Sequence, residues 1–259
     1  LLGFEMNLFH VMEVGAQSLY VMIFTLLAAF GAALLMGKVL GLGRDMTALV
    51  GAGTAICGGS AIAAVAPVIG AKDRDVVTSI ATIFLFNVLA VFIFPFLGHT
   101  YGMTDMGFGM WAGTAINDTS SVVAAGYAYS AEAGAYATIV KLTRTLMIVP
   151  VCLFFALMMM RGAQGSAAGF SLKRIFPMFV LYFIVACLIN TSGILPAAAA
   201  HTLGTLGKFA IVLAMSALGL NTDLAALLRN GLRPLALGMV CWIAVAGTSL
   251  LVQHALGLL

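Results

Sequence analysis

The sequence predicts an all-α polytopic membrane protein that forms one membrane-embedded domain over residues 1–259. Of its residues, 63% are hydrophobic and only 8% are charged, and the mean hydropathy is +1.13. Soluble domains carry about 25% charged residues, so this composition excludes a soluble globular domain. The apolar sequence divides into runs of about 20 residues, the length that a helix needs to cross a bilayer. A duplicated segment with a broken centre further predicts an inverted repeat.

Most of the apolar runs are predicted to be uninterrupted helices. These runs lie at residues 18–37, 76–97, 133–160, 175–190, 197–220 and 235–256. Two more runs, at residues 46–70 and 106–130, are interrupted at their centres. Residues 1–9 are predicted to end a helix, and the polar stretch 10–17 is predicted to bend before the first span.

The two interrupted runs share a motif, which reads GTAICGGSAIAAVA in the first run and GTAINDTSSVVAAG in the second. The centre of the first motif is Gly58-Gly59, and the centre of the second is Asn117-Asp118. Glycine costs a helix about 1 kcal/mol relative to alanine, and Asn and Asp side chains compete for backbone hydrogen bonds. Both centres are therefore predicted to break the helix, and their tips are predicted to meet near the membrane midplane.

Two internal repeats are predicted. The first pairs residues 46–98 with 106–158, because an ATI triplet and a later proline follow each motif. The second pairs residues 2–42 with 218–258, where LGFEMNLFHVMEVG resembles LGLNTDLAALLRNG. Coincidence among Leu, Gly and Ala is the alternative explanation. Internal duplication of this kind is typical of secondary transporters.

The loop charges favour one topology for the interrupted runs. If both runs cross the bilayer, one side holds seven loop Lys and Arg, and the other holds Lys72 and Arg74. If both turn back as re-entrant hairpins, all nine lie on one side, which the positive-inside rule favours and assigns to the cytoplasm. The nine are Lys38, Arg44, Lys72, Arg74, Arg161, Lys173, Arg174, Arg229 and Arg233. In either topology the broken centres are expected to line a cavity.

Asp118 is the principal candidate for binding a proton or cation. A carboxylate inside the membrane costs several kcal/mol unless it is paired, protonated or ion-bound. The alternative is a helix cap, in which Asp118 or Asn117 accepts hydrogen bonds from the half-helix that follows. Thr119, Ser120 and Ser60 are also N-cap residue types, and their half-helices would direct free N–H groups at the cavity.

Further candidates for substrate or ion binding come from the first motif and from charges deep in later helices. The motif residues are Thr54, Gly58, Gly59 and Ser60, with Thr114 at the place of Thr54 in the second motif. Lys141 and Arg144 are three residues apart and share a helix face, too deep for easy snorkelling. Their anion is either Asp118 or the substrate. Lys208 is a third deep cation.

Several classes of function are not expected. The four cysteines lack metal-binding spacing, and the sequence carries no ATP-binding motif, so we expect no cofactor, no metal and no enzymatic step. A net charge of +3 is too small to indicate a nucleic-acid partner. The expected partners are the lipid bilayer and small ions.

The two GTAI motifs, with LLGFEMNL ahead of them, resemble the YeiH-type family of bacterial inner-membrane proteins over essentially the whole chain. This resemblance implies an inverted-repeat transporter fold of the cation/proton antiporter and anion transporter superfamily, with additional helices before the LLGF motif. It also implies a multi-pass inner-membrane location and a homodimer. Asn117-Asp118 is similar to the Asn-Asp motif of sodium/proton antiporters, which implies that Asp118 carries the coupling ion.

The expected function is secondary active transport of a small anion, of the sulfate or organosulfonate class, coupled to H⁺ or Na⁺ through Asp118. One alternative is a cation/proton antiporter in which Lys141 and Arg144 are counter-ions. Another is a membrane subunit of an ion-translocating enzyme complex, similar to the β-subunits of sodium-pumping decarboxylases.

Overall fold

The computed structural model describes residues 2–162, 178–220 and 231–259. All regular elements within these ranges are helices. Three of the predicted loop cations, Lys173, Arg174 and Arg229, lie outside the described residues. So do parts of the predicted 175–190 helix and of the 218–258 repeat.

The described helices follow the predicted runs closely. A short 3-10 helix covers Leu2–Glu5. The α-helices are α1 (Leu8–Val39), α2 (Arg44–Ala55), α3 (Gly59–Ile69), α4 (Asp73–Thr100), α5 (Asp105–Ala115), α6 (Thr119–Tyr129), α7 (Ala131–Thr145), α8 (Ile148–Gly162), α9 (Met178–Thr191), α10 (Ala197–Leu220) and α11 (Leu232–Leu256). Within the described residues α1, α4, α11 and the α7–α8 pair are long and apolar enough to cross a membrane.

Polar and apolar side chains are distributed as a bilayer requires. Large apolar side chains such as Leu27, Phe92 and Ile243 are exposed on the outside of the helices. Buried positions hold polar side chains, including the fully enclosed Lys141 and Arg144. Lipid favours an apolar exterior, whereas buried charges must find partners inside the protein. The prediction of an all-helical membrane protein is confirmed.

The predicted bend at residues 10–17 is wrong, because α1 runs unbroken through it. The helix begins at Leu8, and the side chain of Asn7 caps it by accepting a hydrogen bond from the N–H of Phe9 at 2.9 Å. The stretch contains no proline, and its single glycine, Gly15, is buried beside Thr143 of α7. The polar side chains of residues 10–17 predict a bend, but polar side chains alone do not break a helix.

The predicted span 133–160 is divided into α7 and α8 at Leu146–Met147. Pro150 lies in the first turn of α8. Proline has no N–H and its ring clashes with the carbonyl of residue i−4, here Leu146, which favours a break in the helix at this point.

Helix α7 packs against both halves of the second interrupted run, α5 and α6. Glycines permit this close packing: a side chain at Gly113 would overlap Val140, and one at Gly126 would overlap Gly134. Helix α4 likewise contacts α2, α3 and α6.

The ends of the interrupted runs make specific contacts. The hydroxyl of Tyr129, at the end of α6, donates to the carbonyl of Met103, and the hydroxyl of Ser130 donates to Asp105 at the start of α5. In the first run, Met46 near the start of α2 accepts a hydrogen bond from Ser79 of α4 at 3.2 Å.

Candidate functional site

Both interrupted runs break where the sequence predicts. The first break covers residues 56–58 between α2 and α3, and the second covers residues 116–118 between α5 and α6. Gly58 has φ of +67°, a left-handed conformation that a side chain disfavours. Gly58 also occupies the N-cap position of α3, which excludes Ser60 from that role.

The two breaks lie against each other. A Cβ atom placed on Gly58 would lie 3.7 Å from the backbone carbonyl carbon and oxygen of Asn117. We call this contact, formed by residues 56–58 and 116–118, the crossing. Some backbone groups here bond to the adjoining helices, as the N–H of Gly58 does to the carbonyl of Gly53. The groups that remain must be satisfied by other parts of the protein.

Lys141 is fully buried at the crossing. Its Nζ donates to the carbonyl of Ile56 at 2.7 Å and to the carbonyl of Ile116 at 3.0 Å. These residues immediately follow α2 and α5. A helix C-terminus carries unsatisfied carbonyls and a partial charge of about −0.5. One ammonium group therefore neutralises two helix ends that face each other.

Arg144, one helical turn after Lys141, binds the end of α2 alone. Its Nε donates to the carbonyl of Ala55 at 2.8 Å, and its Nη2 donates to the carbonyl of Thr54 at 2.6 Å. Neither cation forms an ion pair with Asp118 or with another acid in the described ranges. Their hydrogen-bond partners are thus the neutral carbonyls of helix ends and not the predicted anion.

Asp118 caps α6. Its Oδ2 accepts hydrogen bonds from the N–H groups of Ser120 at 2.9 Å and Ser121 at 3.2 Å. The capping alternative for Asp118 is therefore confirmed, while Thr119 and Ser120 lie in the first turn of the helix. The residue is half-buried.

Asn87 of α4 is a site residue that sequence reasoning missed. Its Oδ1 accepts hydrogen bonds from the N–H groups of both Asn117 and Asp118, each at 3.1 Å. It is 2% exposed. The sequence signal is an isolated amide in the otherwise apolar run 83–94. An amide in such a run needs a hydrogen-bond partner when it is buried.

Several polar atoms at or beside the crossing are buried without a hydrogen-bond partner among the residues that the structure describes. They are the hydroxyl of Thr54, both polar atoms of the Asn117 side chain, and Nη1 of Arg144. Each such group costs about 1–3 kcal/mol when it is left unsatisfied. Three of the four atoms are hydrogen-bond donors or can donate, so the local chemistry favours an acceptor, and above all an anion.

The remaining predicted site residues are distributed between the crossing and its surroundings. Gly59 is half-buried, with open space beside it, and Ser60 is exposed. The hydroxyl of Thr114 lies 2.7 Å from the carbonyl oxygen of Met110 and 2.6 Å from the hydroxyl of Ser249 on α11, so it already has partners within the protein.

The structure does not bring Lys208 to the crossing. Its Nζ lies 3.1 Å from Oε2 of Glu5 and 4.7 Å from the ring centroid of Tyr127. Tyr127 is near the far end of α6 from the crossing. Glu5 also lies 3.4 Å from His201, so the partner of Lys208 is an acid that the sequence analysis did not single out.

Comparisons with known proteins agree with the resemblance noted from the two motifs. The family described as conserved hypothetical protein 698 matches residues 1–238. A UPF0324 membrane protein of Clostridium tetani is 44% identical over 99% of this chain and 78% of its own length. One from Streptococcus pyogenes serotype M6 is 47% identical over 100% of this chain and 79% of its own. One from Fusobacterium nucleatum is 41% identical over 100% and 80%.

No solved structure matches the chain. The match to the family includes both interrupted runs and the two buried cations, Lys141 and Arg144. The relatives are aligned over nearly the whole chain. The chain therefore belongs to the conserved hypothetical protein 698 family, whose similar members are named UPF0324 membrane proteins.

Proposed function

We propose that this protein is a secondary active transporter of a small anion, of the sulfate or organosulfonate class, coupled to H⁺ or Na⁺ through Asp118. The observation that carries the proposal is the crossing itself. Two helices break against each other inside an apolar protein, and buried donor atoms beside the break have no partner in the described part of the chain. Broken helices of this kind form substrate and ion sites in transporters.

The electrostatics of the crossing support an anion as the substrate. Lys141 and Arg144 neutralise the C-terminal ends of α2 and α5. The N-terminal end of α3 keeps its partial positive charge, whereas the carboxyl group of Asp118 caps the N-terminal end of α6. At α3 the cap residue Gly58 supplies no side-chain acceptor, so free N–H groups adjoin the open space at Gly59. Such helix starts bind anions readily.

We further propose that each interrupted run is a re-entrant hairpin and that the two enter from opposite faces. For the second run, the support is the pair of contacts from Tyr129 to Met103 and from Ser130 to Asp105, which join the end of α6 to the start of α5. For the first run, Gly43 before α2 and Lys72 after α3 line the same pocket. Helix α4, a candidate membrane span, connects the two runs.

This topology supports a multi-pass inner-membrane protein with its loop cations in the cytoplasm. Lys72, Arg74 and Arg233 line one pocket, so these cations share one face of the protein. The positive-inside rule assigns that face to the cytoplasm.

Coupling is assigned to Asp118 because it combines two properties. The residue is half-buried, and its side-chain oxygen caps α6. Proton or sodium binding would weaken its hydrogen bonds to the α6 N–H groups, which would leave those groups available to an anionic substrate. Substrate and coupling ion would thus act on the same helix start.

The test is electrical recording from the purified protein in liposomes on a solid-supported membrane. Concentration jumps of sulfate and of ethanesulfonate are expected to evoke currents. Chloride jumps of the same size are expected to evoke none. The Asp118→Asn variant is expected to lose the sulfate and ethanesulfonate currents. Currents evoked by sodium or pH alone, with no response to anions, would overturn the anion assignment.

A cation/proton antiporter is the second candidate function. The observation that favours it is that backbone carbonyls bind Nζ of Lys141 and both Nε and Nη2 of Arg144. Among the described residues, Nη1 of Arg144 is the one nitrogen atom of these two side chains without a partner. In that case sodium and pH jumps alone would evoke currents in the same recordings.

A further inference from the structure

A pocket of about 610 Å³ lies away from the crossing, at the end of the protein where α2, α4 and α11 begin. Its wall includes three cations, Lys72, Arg74 and Arg233, against one acid, Asp75. None of these cations forms an ion pair with another residue in the described part of the chain. The pocket therefore carries an uncompensated positive charge.

Thr78 adds a polar group to the same wall. The residue is only 6% exposed and lines the pocket. Its hydroxyl makes no hydrogen bond to the residues that the structure describes. A threonine in a helix commonly donates to the carbonyl of the preceding turn, whereas this unpartnered hydroxyl is free to donate to a ligand in the cationic pocket.

The three helix starts around the pocket favour the same kind of ligand. The N-cap residues of α2, α4 and α11 are Gly43, Lys72 and Gly231, and none of them caps its helix with a side chain. All three line the pocket. Free N–H groups and the positive ends of the helix dipoles therefore adjoin the same space as the cations.

We propose that this pocket is a binding site for a phosphate-type oxyanion. Arginine binds phosphate oxygens through two parallel N–H groups, and the hydroxyl of Thr78 and the helix N–H groups can donate to the remaining oxygens. The phosphate can belong to an anionic lipid headgroup or to a soluble compound. Exposed Leu232 and Val77 beside the pocket place apolar surface next to the charges, as a lipid with acyl chains requires.

The experiment measures thermal unfolding of the purified protein in a neutral detergent, because a ligand that binds the folded state raises the melting temperature. The probes are phosphatidylglycerol, phosphatidylcholine and inorganic phosphate, each at the same ionic strength. Phosphatidylglycerol is expected to raise the melting temperature and phosphatidylcholine is not. A shift with inorganic phosphate of the same size would assign the site to a soluble phosphate instead.

Two variants locate the effect. Replacing all three cations by glutamine (Lys72→Gln, Arg74→Gln, Arg233→Gln) is expected to raise the half-saturating concentration of the effective probe at least about tenfold. Thr78→Val, which preserves shape and surface charge, is expected to raise it about threefold or more. Lys38→Gln is the matched control, since Lys38 is exposed and does not line the pocket.

The proposal is overturned if no phosphate-bearing probe shifts the melting temperature, or if the shift is the same in the triple variant as in the natural protein. The measurement involves no transport, so its outcome is independent of the proposed function.

Discussion

The Nζ atom of Lys141 lies 2.7 Å from the carbonyl oxygen of Ile56, the residue at which the first broken helix ends. The same atom also reaches the end of the second broken helix. A lysine that bridges two helix ends acts as a structural element, whether or not it also attracts the substrate.

Lys141→Met is therefore expected to destabilise the protein. The methionine has a similar length but no donor, so two buried carbonyls lose their partners. We expect the free energy of unfolding to fall by about 3 kcal/mol. Thermal unfolding of the purified variant, compared with the exposed-site control Lys38→Met, measures this loss. An unchanged melting temperature for Lys141→Met would contradict the structural role.

Asn87 supports a second prediction. Replacing it by leucine retains the volume but removes the acceptor of two backbone N–H groups at the second break. We expect a loss of about 2 kcal/mol in unfolding free energy, together with impaired transport. Thr82→Val is the matched control, because Thr82 is equally buried on α4. Equal stability of the Asn87→Leu and Thr82→Val variants would exclude this role for Asn87.

The positions of the breaks were predictable because local chemistry determines them. Gly58 tolerates a positive φ and Asp118 caps the next helix, and both properties belong to the residue itself. The partners of Lys141 and Arg144 were not predictable. They are backbone carbonyls 25 to 90 residues away in the chain, and every residue has a carbonyl, so no sequence pattern identifies them.

Asn87 illustrates the same limit for a side chain. Its partners are backbone N–H groups 30 and 31 residues away. Sequence alone shows that such an amide needs a partner in an apolar helix, but only the packing of α4 against the second break shows which one it finds. The same holds for Glu5, whose pairing with Lys208 depends on contacts of α10 with the 3-10 helix.

Cysteine labelling in a background without the natural cysteines tests the proposed hairpins. Asp45→Cys, at the start of α2, and Asp73→Cys, after α3, are expected to be labelled from the cytoplasmic side. Gly102→Cys, between α4 and α5, is expected to be labelled from the periplasm. Labelling of Asp73→Cys only from the periplasm would replace the first hairpin with a full crossing.

Gly204 of α10 provides a test of the Glu5–Lys208 ion pair. A Cβ atom at residue 204 would overlap the carboxylate of Glu5 and displace it from Lys208. Alanine also favours a helix by up to about 1 kcal/mol over glycine. We therefore expect Gly204→Ala to be neutral or destabilising in the natural protein and stabilising in the Glu5→Ala background.

The double-mutant cycle over these two substitutions is expected to give a coupling of about 1 kcal/mol in unfolding free energy. Gly247→Ala on α11 is the control, because open space surrounds Gly247 and the substitution meets no neighbour. Additive effects of Gly204→Ala and Glu5→Ala on the free energy of unfolding would show that residue 204 and Glu5 do not interact.

The last prediction separates the two roles of Asp118. Asn retains an oxygen that accepts from the N–H groups of Ser120 and Ser121, whereas Ala does not. Asp118→Asn is thus expected to keep the melting temperature and abolish coupled transport, since an amide cannot bind and release a proton. Asp118→Ala is expected to abolish transport and also to cost about 1 kcal/mol of stability.

Asp105→Asn is the matched control for Asp118→Asn, because Asp105 lies at the start of α5 and accepts from Ser130, at the far end of that helix from the crossing. It should leave transport in place. Stability from thermal unfolding and transport from solid-supported-membrane currents are measured on the same preparations. If Asp118→Asn carried currents equal to those of the natural protein, Asp118 would be a helix cap alone, and the coupling ion would have to bind elsewhere.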